Sequence, residues 1–416
     1  MSTATAPGPG ETHNKLALGA LGLGAFAIGT AELVIVGVLN LIADDLDVSL
    51  STAGLLVTAY ALGISIGGPI VTAATIKVQR HTLLCAALVV FVLGNLAAVF
   101  AGVFGLLVVA RVLCGALHGL FLGAASAVAT GLVALEHRGQ AVGLVFGGIS
   151  VSTVFGVPLG TLLGQNLGWQ ATFAGVAALG VVALVVITIW VPAVRSSGSG
   201  GLGSQAQHAF HPRVLAMLAA QVLLMGSQFI AFTYLAAFLE DVTGIDGAMV
   251  SVFLMIFGVF SAIGTFAGGR FADVNASRTL LVGNAVLVVG LLGLYVFRES
   301  RPMVGVALAL WGVVGFGVTP ALQLRVISLA GEGADLAATL GASAANVGVA
   351  SGAAVGGWAL ASFGIEDVPL TALVFAVVAL PAVWATRFLK VPAVPDPVTG
   401  SVTAGASDNT PVSTGS

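Results

Sequence analysis

The sequence predicts an all-α membrane protein with twelve transmembrane helices arranged as two pseudo-symmetric bundles of six. The first observation is composition: of the 416 residues, 58% are hydrophobic and 7% are charged, with a mean hydropathy of +1.10. A soluble domain carries about 25% charged residues, so a soluble protein is excluded. The second observation is that the apolar residues form twelve runs, and the third is that a glycine pattern recurs in both halves of the chain.

Each apolar run is close to the roughly 20 residues that an α-helix needs to cross a bilayer. Residues 1–15 are rich in Ala, Thr, Pro and Gly and are expected to form a disordered cytoplasmic tail, as are residues 391–416. The two bundles are assigned to residues 16–192 and 214–390, joined by a cytoplasmic linker at 193–213. The first run is longer than the apolar core of a signal peptide and should therefore remain as a span. The predicted spans cover residues 16–41, 50–75, 82–103, 105–133, 139–165, 170–192, 214–239, 247–269, 279–298, 303–328, 335–363 and 368–389.

Charged residues are distributed unequally between the two ends of these spans. If the amino terminus is cytoplasmic, the basic residues on that side are Lys15, Lys77, Arg80, Arg138, Arg195, Arg213, Arg270, Arg278, Arg325, Arg387 and Lys390. Arg298 and Arg301 then lie on the opposite side, together with the acidic residues Asp44, Asp45, Asp47, Glu240, Asp241, Asp246, Glu366 and Asp367. Because cytoplasmic loops of membrane proteins carry an excess of Lys and Arg, both termini are predicted to be cytoplasmic.

Small residues recur at every fourth position of the fifth predicted span and again in the eleventh. The first stripe is Gly148, Ser152, Gly156, Gly160 and Gly164, and the second is Ala344, Gly348, Gly352 and Gly356. Such a stripe lies on one face of a helix and lets a second helix approach closely. Pro158 interrupts the hydrogen-bond ladder and should bend the fifth span. Plain helix packing explains either stripe alone, but the repetition favours a transporter built from two related halves.

A second correspondence relates the two halves of the chain. Gly68 is followed by a basic loop and the residues His81-Thr82-Leu83-Leu84, and Gly264 is followed by Arg270 and by Arg278-Thr279-Leu280-Leu281. Both stretches lie between the second and third span of their half. Two markers at nearly the same offset indicate an internal repeat.

Four stretches of sequence match motifs of one family of membrane proteins. They are TAELVIVGVLNLIADDLDVS in the first span, RVLCGALHG in the fourth, GVPLGTLLGQNLGW in the fifth and GGRFAD after the eighth. On these stretches the chain resembles the major facilitator superfamily, in its twelve-span drug–proton antiporter branch, and there it is most similar to bacterial arabinose-efflux-type and purine-efflux-type permeases. The stretch in the fifth span is the antiporter signature of that family.

The resemblance implies a monomeric protein of the bacterial cytoplasmic membrane. Such a protein uses the proton gradient as its energy source, has no cofactor, and binds small molecules but no nucleic acid. The chain departs from the family in the loop TIKVQRH after the second span, which has no acid, whereas the copy after the eighth span keeps Arg270 and Asp273. The cytoplasmic gating contact is therefore expected either to be weaker in the first half or to be carried by the second half, which keeps Arg270 and Asp273.

Three residues that can carry a charge near neutral pH lie deep inside predicted spans and away from their ends. Glu32 is the only carboxylate deep in a span, about 13 Å from the outer end at 1.5 Å per residue, and Arg111 in the fourth span lies about 9 Å deep. His118 follows on almost the same helix face as Arg111. Buried charges are costly in lipid and generally mark substrate or proton pathways. The alternatives are a static structural acid, a snorkelling arginine and a packing histidine. Because the first and fourth spans line the central cavity of the resembled fold, we expect an ion pair between Glu32 and Arg111.

Aromatic and amide side chains take the place of these charges in the second half. The candidates for substrate contacts are Gln228, Phe229, Phe232 and Tyr234 in the seventh span and Trp311 and Phe316 in the tenth. Aromatic rings with few polar anchors suit apolar or amphipathic ligands. Ordinary helix packing is the alternative for each of them.

The function that these observations favour is proton-coupled efflux of small molecules by alternating access. The sequence has no GxxxxGK[ST] phosphate loop, no HExxH and no cysteine–histidine cluster, so neither an enzyme, an ATP-driven pump nor a metal site is expected. A drug, a sugar and a purine-like compound all suit the resembled family as substrate. Two alternatives stay open: a facilitator or proton symporter for sugars or nucleosides, and a membrane sensor or scaffold without transport.

Overall fold

The computed structural model describes residues 9–75, 77–134, 137–192 and 207–392. Residues 1–8, the linker residues 193–206 with Arg195, and the tail residues 393–416 lie outside this description. The first helix begins at Pro9, so the predicted disorder of residues 9–15 is wrong. His13 contacts the ring of Trp190 with 5.8 Å between centroids, and Asn14 donates a hydrogen bond to the Leu132 carbonyl at 2.9 Å, which holds this segment against its own bundle.

The described chain is helical, and eleven helices are long and apolar enough to cross a membrane. One of them, Gly247–Val296, has 50 residues and would be about 75 Å long, far more than the ~30 Å of a hydrocarbon core. Asn275 within it has non-helical dihedral angles (φ −161°, ψ 93°), and its side chain accepts a hydrogen bond from the Arg278 amide at 2.9 Å, as at a helix start. This helix therefore forms spans 8 and 9, and the predicted fold class of twelve spans is confirmed.

Several spans are interrupted by short non-α segments. The helical segments that make up the twelve spans are Pro9–Leu33, Val34–Gly37 and Leu39–Asp45 (span 1); Leu50–Leu62, Gly63–Gly67 and Gly68–Ala74 (span 2); Arg80–Val99 (span 3); Phe104–Gly131 (span 4); Arg138–Val151, Ser152–Gly156 and Val157–Leu167 (span 5); Trp169–Trp190 (span 6); Pro212–Phe232 and Leu235–Asp241 (span 7); Gly247–Val296 (spans 8 and 9); Arg301–Gly315 and Thr319–Ala330 (span 10); Ala334–Phe363 (span 11); Val368–Ala385 (span 12). Spans 1 and 7 break at corresponding places, so each ends in a separate seven-residue helix.

Two prolines follow local widening of the helix to a π-helix. In span 5 the segment Ser152–Gly156 is π-helical and Pro158 lies in the first turn of the α-helix that follows. Span 2 repeats this arrangement with Gly63–Gly67 and Pro69. A proline cannot donate to the ladder, and a π-turn is one way in which a helix absorbs that loss.

The two glycine stripes lie against spans 1 and 7. A methyl group at Gly148 would overlap the Gly22 carbonyl of span 1, and one at Gly156 would overlap the Thr30 side chain. Gly160 lies against Val34 of the same span, and Ser152 is fully buried. In the second half, Gly348 and Gly352 lie against the Gly226 backbone and Gly356 against the Ile230 carbonyl, all in span 7. The same close crossing thus occurs once in each half.

The apolar core has two parts. One lies entirely in the first bundle, between residues 17 and 191. The other comprises the core of the second bundle and continues into residues near one end of the first bundle, among them Leu39, Leu56 and Trp169. We call this end, which carries Asp44, Asp45 and Glu240, the acidic end, and the opposite one the basic end. The two bundles are therefore joined by apolar packing toward the acidic end.

Candidate functional site

Glu32 lies at the point where span 1 stops being α-helical. The helix ends at Leu33 and continues as a single 3-10 turn, Val34–Gly37, before a new helix starts at Leu39. Three β-branched residues followed by a glycine are weak helix formers, which is consistent with a break here. The break leaves backbone carbonyls of the last helical turn without their usual partners.

Arg111 binds the backbone at this break. Its guanidinium donates hydrogen bonds to the carbonyls of Ala31 at 2.6 Å, Glu32 at 3.2 Å and Leu56 at 3.3 Å. The side chain is buried, which excludes a snorkelling position. The predicted ion pair between Arg111 and the Glu32 carboxylate is wrong, because the guanidinium instead occupies the negative end of the interrupted helix.

The carboxylate of Glu32 pairs with His118. Oε2 of Glu32 lies 3.7 Å from Nδ1 of His118, and the two side chains are 19% and 3% exposed, respectively. Histidine is charged only when it is protonated, and a carboxylate can also take up a proton. Such a buried pair can therefore hold one proton or release it without moving any heavy atom far.

Tyr60 completes this group, and the sequence analysis missed it. Its hydroxyl lies 3.3 Å from Nδ1 of His118 and 3.4 Å from the Ile28 carbonyl. The Arg111 guanidinium lies 4.1 Å from the centre of its ring, the geometry of a cation–π contact. Only charged groups were considered within the first half. The signal available was that Tyr60 is its single tyrosine and lies in an otherwise apolar run.

A small cavity connects this group to the second bundle. It is lined by Glu32, Tyr60 and Arg111 from the first bundle and by Phe229 and Val349 from spans 7 and 11. The cavity has room for about one water molecule. The ionisable residues of one bundle therefore face side chains of the other across a nearly closed space.

Five of the six predicted substrate residues lie together in the second bundle. Phe229 contacts Phe232 with 5.4 Å between ring centroids, Phe232 lies 6.1 Å from Trp311, and the Trp311 indole donates a hydrogen bond to the Gln228 side chain at 3.4 Å. Phe316 joins them through a residue that the sequence analysis missed. This residue, Phe257 of span 8, lies 4.9 Å from Phe232, 5.3 Å from Trp311 and 6.4 Å from Phe316. We call these residues the aromatic cluster.

The sixth predicted residue, Tyr234, lies apart from the aromatic cluster. Its hydroxyl donates a hydrogen bond to the Ala353 carbonyl at 3.1 Å, and its ring lies against Gly54 of span 2 and Gly357 of span 11. Tyr234 is fully buried between helices of the two bundles. In this arrangement Tyr234 packs the bundle interface, and its place in a substrate site stays a prediction.

The predicted gating residues at the basic end do not form a contact. Arg270 and Asp273 are both exposed on the last turns of span 8. Among the described residues, the salt bridges and hydrogen bonds of the structure do not include their side chains. The gating role of these two residues therefore stays a prediction.

Comparison with known proteins gives concordant results. The family model "Major Facilitator Superfamily" matches residues 21–339. A transporter of Bacillus subtilis (strain 168), YtbD, described as an uncharacterized MFS-type transporter, is 36% identical over 85% of this chain and 90% of its own length. The inner membrane transport protein YdhP of Escherichia coli (strain K12) is 33% identical over 87% of this chain and 93% of its own. A probable sugar efflux transporter of Pasteurella multocida (strain Pm70) is 28% identical over 86% and 89%.

A solved structure has the same fold. It is a bacterial homologue of the human lysosomal transporter Spinster, in an inward-facing and occupied conformation. The TM-score is 0.77 at 16% sequence identity, and the match covers 92% of this chain and 98% of that one.

Proposed function

The chain belongs to the Major Facilitator Superfamily and is a membrane transporter, not an enzyme, and from this premise we propose that it exports small molecules in exchange for protons. The observation that carries the proposal is the buried pair of Glu32 and His118, which faces the second bundle across a cavity. Placing an ionisable pair inside a membrane costs free energy, and such pairs generally have a function. Protons are therefore the proposed coupling ion, and no other cofactor is invoked.

Each residue of the site has a separate role in the proposed mechanism. Glu32 takes up the proton, His118 is the partner of its carboxylate in both charge states, and Tyr60 contacts His118 through its hydroxyl. Arg111 is a positioning residue, because its three bonds hold the broken end of the helix that carries Glu32. Uptake of a proton from one side and its release to the other then accompany the rocking of the two bundles about the cavity.

The proposed orientation places the acidic end outside and both termini in the cytoplasm of a bacterial cell. It is supported by the distribution of Lys and Arg along the sequence. A proton moving inward gains about 2.3 kcal/mol per 100 mV of membrane potential. This free energy would drive the export of the substrate against its gradient.

The aromatic cluster is the proposed substrate contact. It reaches the cavity through Phe229, which contacts Phe232 and also lines the space beside Glu32. Rings with one amide group, Gln228, suit an amphipathic molecule that offers an apolar face and a few hydroxyl or amide groups. The proposed substrates are accordingly drugs, sugars or purine-like compounds, and a relative described as a probable sugar efflux transporter favours testing sugars first.

Transport by purified protein in proteoliposomes tests the proposal. With an imposed proton gradient we expect uptake of candidate substrates into inside-out vesicles, and we expect collapse of the gradient to abolish it. The variant Glu32→Gln should lose proton-driven transport, whereas Glu299→Gln, which changes an exposed carboxylate, should keep it. Rapid counterflow without a pH gradient, with no proton movement, would contradict antiport and favour the facilitator.

A further inference from the structure

A single carboxylate of the second bundle binds two side chains of the first. Glu240 lies in Leu235–Asp241, the short helix that ends span 7. One of its oxygens accepts a hydrogen bond from the side-chain amide of Asn40, and the other accepts one from the Gln165 amide at 3.1 Å. Asn40 lies in Leu39–Asp45, the corresponding short helix of span 1. The two short helices therefore meet directly across the bundle interface.

Gln165 links this contact to the break beside Glu32. Its amide nitrogen also lies 3.4 Å from the carbonyl of Gly37, the last residue of the 3-10 turn in span 1. Its Oε1 lies against Gly247 at the start of span 8, where a Cβ atom would come within 2.6 Å of it. Gln165 is thus enclosed by spans 1, 7 and 8, and it cannot move away without disturbing all three.

We propose that Glu240, Gln165 and Asn40 form a latch that holds the acidic end closed and that opens once in each transport cycle. The proposal rests on the alternating access put forward above. Hydrogen bonds to a carboxylate are stronger than those between neutral groups. Two other hydrogen bonds between the bundles, from Ser51 to the Gly357 carbonyl at 2.8 Å and from Thr58 to the Ala350 carbonyl at 3.2 Å, involve neutral groups.

The position of the latch suits a device that responds to Glu32. The 3-10 turn that starts two residues after Glu32 ends at the carbonyl that Gln165 contacts. A change in the shape of this turn would move the Gly37 carbonyl and Asn40 together, because Gly37 ends the turn and Asn40 lies three residues after it. A change at Glu32 can therefore be transmitted to the latch through a few residues of covalent structure.

Thiol labelling of the cavity tests the latch without substrate or a proton gradient. The reporter is Val57→Cys, which lines the cavity beside Glu32 and is buried in the closed arrangement. The native free thiols are removed by Cys85→Ala and Cys114→Ala. Ala248 is exposed at the acidic end, so Ala248→Cys reports which preparation, intact cells or inverted vesicles, presents this end to the reagent. The membrane-impermeant maleimide is then applied to the Val57→Cys reporter in that preparation.

The latch predicts faster labelling of the reporter when its bonds are removed. In Gln165→Ala we expect a rise of about tenfold in the labelling rate, as for loss of one hydrogen bond to a charged acceptor. Glu240→Ala should raise it further. The matched control is Gln170→Ala, because Gln170 bonds Asp45 at 3.0 Å within the first bundle and crosses no interface. Its labelling rate should equal that of the parent.

The outcomes separate the latch from the proposed transport activity. Equal labelling in Gln165→Ala, Gln170→Ala and the parent would overturn the latch, even if the parent exports substrate with protons. If the latch variants are labelled faster but the parent protein moves no protons, the latch is supported and the proposed proton coupling is refuted. Asn40→Ala, which removes the second bond from a different span, supplies an independent variant should Gln165→Ala fail to fold.

Discussion

The substitution Arg111→Lys distinguishes a guanidinium that holds the backbone from one that only supplies positive charge. The side chain of Arg111 donates to three backbone carbonyls in two different spans. A lysine has one nitrogen on a flexible stem, and that nitrogen cannot lie within bonding distance of all three oxygens. We therefore expect the variant to keep the charge but to lose about two of the three bonds.

The expected cost follows from hydrogen bonds measured inside membranes. Bonds between transmembrane helices contribute about 0.6 kcal/mol on average and at most about 1.7 kcal/mol. Loss of two such bonds lowers the free energy of unfolding by about 1–3 kcal/mol. The control Arg298→Lys changes a partly exposed arginine that pairs with Glu366 at 2.9 Å, and an exposed pair contributes less than about 1 kcal/mol.

The measurement is unfolding of the purified protein by titration with SDS in mixed micelles, combined with proton-driven export by the same preparations. Arg111→Lys should unfold at a lower SDS fraction than Arg298→Lys and should export more slowly. If Arg111→Lys equals the parent in both assays, then positive charge near Glu32 is sufficient. The role of Arg111 at the helix break would then be refuted.

Three further substitutions test other contacts of the site and the packing. Tyr60→Phe removes the hydroxyl beside His118 but keeps the ring, so proton-driven export should fall about fivefold, the effect of about 1 kcal/mol. The SDS titration should show a loss of about 1 kcal/mol of stability, as for one or two bonds between spans; unchanged export would remove Tyr60 from the site. Gly352→Ala places a methyl group in the span 7 backbone and should destabilise the protein by about 1–3 kcal/mol in the SDS titration, whereas Gly123→Ala, with open space around it, should not. Phe257→Ala removes the centre of the aromatic cluster, so the KM for the exported substrate should rise; an unchanged KM would place the substrate elsewhere.

Hydropathy and repetition were sufficient to predict the fold from the sequence. Twelve apolar runs must be twelve spans, because a bilayer leaves no other arrangement for such segments, and even the continuous helix Gly247–Val296 divides where the sequence becomes polar. The glycine stripes predicted that spans 5 and 11 each pack closely against another helix, but they did not identify that helix. These partners, spans 1 and 7, depend on tertiary structure that one sequence does not report.

The candidate site was predicted only in part, for geometric reasons. Depth along a span gave Glu32 and Arg111 at similar heights and His118 on the same helix face as Arg111, but depth does not give rotation about the helix axis. It also did not show that span 1 breaks after Glu32 and presents carbonyls to Arg111. Phe257 carries no charge and resembles many apolar neighbours, so nothing in its local sequence distinguished it from exposed phenylalanines of the same helix such as Phe266.

The seven-residue helices that end spans 1 and 7 have a consequence for dynamics. A helix of seven residues is too short to be stable in isolation, so Leu39–Asp45 and Leu235–Asp241 stay folded only through the surfaces against which they pack. When those surfaces separate, the backbone amides of both segments would lose their protection from hydrogen exchange, whereas those of the long helices beside them would remain protected. Amide hydrogen exchange at these fourteen positions would therefore report directly how often the protein visits the state in which the acidic end is open.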